Sequence, residues 1–232
     1  MGLAADGWRV AVHYRADAEA AEATVADIRK AGGEAKAVQA DLADALSLET
    51  LIPNAIMAVG PLTCLVNNAS VFENDRAEDF TRASMDSHLA VNLLAPALLT
   101  QAFARQLPKT IHGNVINILD QRVWRLTPRF VSYTLSKSAL WTLTQTLAMG
   151  LAPRVRVNGI GPGPTLANEM QDAAQFARQA AATILGVGPG LDEITAAVRF
   201  ILASPSMTGQ MIALDGGQHL AWETPDMKDQ EQ

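Results

Sequence analysis

Gly113-Asn-Val-Ile-Asn-Ile-Leu-Asp120 decides how the rest of this 232-residue chain is read. Residues 113–118 form a short β-branched run opened by glycine, the pattern of a strand buried on both faces rather than one with a wet side. Asp120 follows just past its end, where open α/β sheets gather their chemistry. Downstream lies Tyr133-Thr-Leu-Ser-Lys137. Residues four apart share one face of a helix, so this hydroxyl and this ammonium can point into the same space. A free tyrosine titrates near pH ~10, and a neighbouring cation favours the phenolate. The pair is therefore expected to hold a tyrosine of lowered pKa suited to general acid chemistry. The same spacing also occurs on solvated surface helices, so the surrounding elements have to decide.

Those elements alternate. A strand at 8–14 precedes a helix at 18–31 closed by Gly32-Gly33, a strand at 34–40, and a helix at 47–59 interrupted near Pro53. A buried strand follows at 63–67, then a long helix at 84–106. Beyond 113–118 come a helix at 132–151, a strand at 154–160 leaving through Gly161-Pro-Gly-Pro164, helices at 167–185 and 192–203, and a strand at 210–214. This order predicts an α/β fold: a doubly wound parallel sheet with helices on both faces, in one domain over 1–232, with a mobile charged tail at 223–232. The helices at 84–106 and 132–151 are apolar on most sides and need a cover.

Composition narrows the function classes. An apolar fraction of 49% with 18% charged residues is that of an ordinary globule. A net charge of −6 without a basic cluster argues against nucleic acid. The single Cys64 excludes an internal disulfide and suits a reducing cytosol, and its place inside Leu62-Thr-Cys-Leu-Val66 reads as strand packing rather than a nucleophile. No metal-ligand spacing joins it to His13, His88, His112 or His219. The charge-free runs 88–104 and 138–153 carry Asn92, Pro96, Ser138, Thr142 and Gln145, too polar for lipid, so no membrane segment is expected.

Taken together, the Asp120, Tyr133 and Lys137 pattern and the Gly161-Pro-Gly-Pro164 exit resemble the short-chain dehydrogenase/reductase family, and within it the pteridine reductases. The wider family usually has serine where this chain has Asp120, whereas pteridine reductases have aspartate. One family motif has no counterpart: the Thr-Gly-x-x-x-Gly-x-Gly loop whose backbone N–H groups hold the cofactor pyrophosphate. Met1-Gly-Leu-Ala-Ala-Asp-Gly7 reads instead as the last turn of a helix and its stop. The first βα element is therefore expected to be missing, with its strand falling between those ending at Tyr14 and Asn67.

The resemblance implies NADP as cofactor and a pterin-like substrate. Arg15, after His13 and Tyr14 at a strand end, would bind the 2′-phosphate in two parallel hydrogen bonds, or else simply open a solvated loop. Asp41 and Leu42 resemble the adenine-contacting pair. Asn68, Ala69 and Ser70 resemble the family's Asn-Asn-Ala-Gly turn, with the serine again like pteridine reductases. Asn92 matches the active-site asparagine tied to a helix distortion and a proton-relay water. Pro162 and Gly163 resemble the loop against the nicotinamide, with Thr165 on its carboxamide or the phosphates, although Gly-Pro-Gly-Pro is also a good strand exit on turn chemistry alone. Phe72 matches the aromatic that stacks on pterin, or is a lid on its own domain. Tyr133 would donate the proton, Lys137 would hold the nicotinamide ribose, and Asp120 would orient Tyr133 or relay a proton. The helices at 84–106 and 132–151 would form subunit interfaces of a homotetramer or homodimer in the cytoplasm. The rivals are a generic ketone reductase, in which Asp120 is a tolerated oddity, and a truncated, non-catalytic relative that binds subunits.

Overall fold

A computed structural model describes residues 1–166 and 172–222. The strands β1 (Arg9–Tyr14) and β2 (Glu34–Gln39) pair in parallel, Arg9 opposite Glu34 through Tyr14 opposite Gln39. The strands β3 (Cys64–Asn67), β4 (Gly113–Ile118), β5 (Val155–Pro162) and β6 (Met211–Leu214) form a separate parallel sheet in that order. Parallel neighbours need crossovers, and helices supply them on both faces. Phe103, Leu99 and Leu51 cover β4 and β5 from one side with Val115 and Val157 in the same cluster, while Ile201, Val198 and Ala197 cover Ile116 and Ile160 from the other.

The two sheets do not join. Val10, Ala11 and His13 of β1 face Cys64, Leu65 and Val66 of β3 across an apolar cleft of about 200 Å³. Among the described residues no strand stands in it. This is the gap expected from the absent glycine-rich loop. The short α1 (Gly2–Ala5) ends at Gly7, whose φ of +85° is the left-handed stop expected there.

Most elements lie within a residue or two of expectation, and three differ. The helix α3 (Ala45–Val59) runs unbroken through Pro53, because Leu48, Leu51, Ile52, Ala55 and Val59 all bury one face and hold the turn that the missing N–H would loosen. The expected single helix at 84–106 is instead α4 (Arg82–Leu89), a π turn at Ala90–Leu94, and α5 (Ala95–Gln106). By length and a mean hydropathy of 1.2, Arg82–Gln106 could cross a membrane, yet it buries His88, Asn92 and Thr100 inside the fold. Of the expected helix at 167–185, only α7 (Ala173–Ala181) is helical among the described residues; 167–171 and the tail at 223–232 lie outside them. The remaining helices are α2 (Ala18–Lys30), α6 (Val131–Leu151) and α8 (Leu191–Ala203).

Candidate active site

Past the end of β4 the chain turns sharply, and Asp120 caps the short 3-10 turn Gln121–Val123 by accepting the Arg122 backbone N–H on Oδ1 at 2.7 Å. Its other oxygen, Oδ2, accepts from Arg122 Nη1 at 2.9 Å and from the Tyr133 hydroxyl at 3.0 Å. Tyr133 sits in the first turn of α6, and its position depends on a residue far away in sequence. The Asp75 carbonyl accepts the Phe130 N–H at 2.7 Å and its carboxylate accepts the Ser132 N–H at 3.1 Å, tying down the amino end of α6. Burial pushes the Asp75 carboxyl up, but hydrogen bonds from Ser132 and Ser84 outweigh it and leave the group below the usual range. Phe130 completes the entry with φ 59° and ψ 48°, a left-handed conformation rare for an aromatic residue.

One turn along α6, Lys137 is 3% exposed, its amine donating to the Ile118 carbonyl at 2.7 Å and lying 5.7 Å from the Tyr133 ring centre. The amine has three donors, so two remain for a ligand. The electrostatics reverse the expected direction at Tyr133. Burial, and then the charge and hydrogen bond of Asp120, raise the phenol well above its ordinary value; Arg122, not Lys137, is the cation that opposes this. Burial also pushes Lys137 down to about 8, with Asp120 partly compensating. A buried phenol donating to a carboxylate keeps its proton until something better accepts it.

Asn92 lies in the π turn and uses its whole amide on protein groups. Oδ1 accepts from Val71 N at 2.8 Å and Ser70 Oγ at 3.1 Å, and Nδ2 donates to the Val71 carbonyl at 2.9 Å and Ser136 Oγ at 3.0 Å. The helix distortion expected at this residue is thus present, and its visible work is to hold the 70–72 loop against α6. That loop sets Phe72 edge-on to Tyr133 at 4.6 Å and stacked on Phe130 at 4.7 Å.

Phe72, Asp120, Tyr133, Pro162, Gly163 and Thr165 all line one open cavity of about 470 Å³, within the range of ligand pockets. Gly163 is required there, because a Cβ would meet the Asp215 Cα at 2.8 Å. A second cavity of about 220 Å³ brings together His13, Leu42, Asn68 and Ala69 at the mouth of the cleft between the sheets. His13 Nε2 lies 2.9 Å from the Ala40 carbonyl, a contact that makes this nitrogen the donor. Tyr14, exposed Arg15 and Asp41 sit at the carboxyl end of the β1–β2 pair; Gln39 Nε2 donates to the Arg15 carbonyl at 2.9 Å and Asp41 accepts from Ala43 N at 2.9 Å. Burial pushes the Cys64 thiol up to about 12, which goes with its place in a strand.

Sequence reasoning missed Asp75, Arg122 and Phe130. Asp75 and Phe130 carry no motif; Arg122 had one available signal, its place two residues after Asp120 on a turn.

Chemistry at the carboxyl ends of parallel strands, with a Tyr and Lys pair on the following helix, defines an α/β oxidoreductase site. The family profile described as enoyl-(acyl carrier protein) reductase matches residues 1–219, and the chain belongs to the short-chain dehydrogenase/reductase family. It is similar to FolM alternative dihydrofolate reductase 1 from Brucella suis, solved in complex with NADP, at 48% identity and a TM-score of 0.94, covering 97% of this chain and 91% of that one. Dihydromonapterin reductase of Escherichia coli is 29% identical over 91% of this chain and 86% of its own. The 3-oxoacyl-[acyl-carrier-protein] reductase of a Synechocystis strain is 30% identical over 94% and 89%.

Proposed function

We propose that this short-chain oxidoreductase uses NADPH to reduce a C=N bond of a dihydropterin. The observation that carries the reading is the contact of Tyr133 with both Asp120, at 3.0 Å, and the Phe72 ring, at 4.6 Å, inside one cavity. A pterin is flat, aromatic and rich in ring nitrogens, so it wants a stacking surface beside a proton path that ends in a carboxylate. The similarity to the Brucella and Escherichia coli proteins supports the same substrate class.

The residues present fit both ends of a dinucleotide. At the nicotinamide end, Lys137 has two N–H donors left for the ribose hydroxyls, and the Pro162–Gly163 loop forms one wall of the cavity holding Tyr133. At the other end, Arg15 is exposed past the end of β1, and Asp41 and Leu42 follow the paired β2; on this reading Arg15 would take the 2′-phosphate and the Asp41–Leu42 pair the adenine. Between them no glycine-rich phosphate loop occurs among the described residues. When bound, NADPH supplies the hydride to ring carbon. Tyr133 supplies the proton to ring nitrogen, and its raised pKa means the hydroxyl is still protonated when the substrate arrives. Asp120 fixes the direction of that hydroxyl by accepting its hydrogen bond, and the proton that Tyr133 gives up is replaced from solvent. Asn92 holds the Phe72 loop in place, so loss of its amide should loosen substrate binding.

We also read the chain as a cytoplasmic homo-oligomer. Leu94 at the end of the π turn, Leu98 on α5, and Leu135 and Met149 on α6 are each about half or more exposed, on the two segments expected to pair between subunits.

The test is an initial-rate panel with NADPH against a dihydropterin, dihydrofolate and a 3-oxoacyl thioester. Turnover of the reduced pterins well above the ketone supports the reading. Turnover of the ketone alone replaces it with the activity named for the Synechocystis relative.

A further inference from the structure

We propose that Arg122 is a positioning residue for proton delivery: it clamps the Asp120 carboxylate so that Oδ2 stays turned to the Tyr133 hydroxyl, and it carries the aromatic wall of the substrate cavity on the same guanidinium. The proposal rests on the reading of Asp120 and Tyr133 as the proton-delivering pair.

Three observations converge on this side chain. First, Arg122 holds both Asp120 oxygens, the backbone N–H on Oδ1 at 2.7 Å and Nη1 on Oδ2 at 2.9 Å. A free carboxylate can rotate about its last bond; one held on both oxygens cannot, and the remaining lone pair on Oδ2 meets the Tyr133 hydroxyl at 3.0 Å. Second, the guanidinium carbon lies 5.1 Å from the Phe130 ring centre, 5.6 Å from Phe72 and 6.0 Å from Tyr133, so one planar cation touches all three rings that shape the cavity. Each contact lies within the range of cation–π attraction. Third, the side chain is only 14% exposed and its Nε has no partner among the described residues, so Asp120 and the rings are what hold it. A lysine could make the ion pair, but its single ammonium could not hold the Asp120 carboxylate and stay against the rings at the same time. Because Arg122 reaches the Tyr133 hydroxyl only through Asp120, its effect on kcat should vanish when Asp120 is already disabled, while loss of its direct ring contacts should show in the KM for the pterin.

The test is a double-mutant cycle of Arg122→Gln and Asp120→Asn in the full chain, with Arg122→Lys as the charge-conserving variant. Each is assayed with NADPH on a dihydropterin and on a ketone. Arg122→Gln is expected to lower kcat by about tenfold or more, with the KM for NADPH changed less than about twofold. Arg122→Lys should recover part of that loss, and the double variant should be no slower than Asp120→Asn alone. Multiplying effects, or Arg122→Gln with wild-type kcat, would overturn the proposal. A crystal structure of Arg122→Lys or Arg122→Gln gives a readout independent of turnover. Loss or lengthening of the Asp120 to Tyr133 hydrogen bond is expected, and its retention in both variants contradicts the clamp. If only the ketone is turned over, the pterin reading fails while the cycle, run on the ketone, still judges Arg122.

Discussion

The β3–β6 sheet and the β1–β2 pair are built of similar strands, yet only the first closes a site. On β4 and β5 every ladder position has a partner, Ile116, Val115, Val157 and Ile160 are fully buried, and the strand ends deliver Asp120, Pro162 and Gly163 to one cavity. On β1, one edge pairs with β2 and the other faces an apolar cleft. No side chain of β1 is fully buried, and what it contributes is a rim: His13, Tyr14 and exposed Arg15. A parallel strand is stabilised by neighbours on both sides, and its backbone groups lose about 1–3 kcal/mol each when buried without a partner. The chemistry is therefore expected to be insensitive to events in β1, and cofactor binding sensitive to them.

The largest effect should come from the complete half. Tyr133→Phe removes the hydroxyl proposed to donate the proton without removing the ring that contacts Phe72, and turnover should fall by about 10²–10⁴ with NADPH binding nearly unchanged, as measured by steady-state rates and cofactor titration. A smaller and opposite pattern is expected at the rim. Arg15→Asp should raise the KM for NADPH by roughly ten- to a hundredfold while leaving that for NADH little changed, because only one cofactor carries the 2′-phosphate. Equal losses with both cofactors would show that Arg15 reads nothing.

Lys137 links site and stability. Its folded-state pKa is depressed from 10.5 to about 8 by burial. The folded protein therefore binds fewer protons than the unfolded one between those values, so this residue's penalty is full below about pH 8 and fades as pH rises towards 10.5. Lys137→Met should stabilise the chain at pH 7 by an amount on the order of 3 kcal/mol at most. The gap to wild type should narrow by pH 10, read from denaturant midpoints, while activity is lost. A variant less stable than wild type at pH 7 would show that the amine's bond to Ile118 outweighs its burial.

The smallest effect sharpens the contrast between the halves most directly. Amide protons of β1 should exchange faster than those of β5, with an opening free energy lower by about a few kcal/mol, in a hydrogen-exchange experiment on the free chain. Equal protection would mean that the cleft does not weaken the β1–β2 pair.

How much of this could be read in advance follows from range and burial. The strand at 113–118 and the helical spacing of Tyr133 and Lys137 are local patterns that pointed to Asp120, Tyr133 and Lys137, whereas the Pro162–Gly163 loop joined them only through the resemblance. The split sheet was legible only through the resemblance, whose sheet order puts a strand between those ending at Tyr14 and Asn67. Asp75 was not, since its partner Ser132 is 57 residues away and no spacing rule reaches that far. Nor was the direction of the Tyr133 shift. A lysine four residues on suggests a lowered pKa, but how deeply the phenol is buried, and that Asp120 sits closer to its hydroxyl, are tertiary facts. The π turn at Ala90–Leu94 hides in a smooth apolar stretch, betrayed only by an asparagine whose four partners lie in two other elements.

The account's central claim is that Asp120 and Tyr133 deliver a proton to a pterin rather than to a ketone. The most direct test compares wild type with Asp120→Ser on a dihydropterin and a 3-oxoacyl thioester under saturating NADPH. The account predicts that the serine variant loses pterin turnover by orders of magnitude and loses far less, if anything, on the ketone. Full pterin turnover in Asp120→Ser, or a wild-type enzyme that reduces only the ketone, would contradict it.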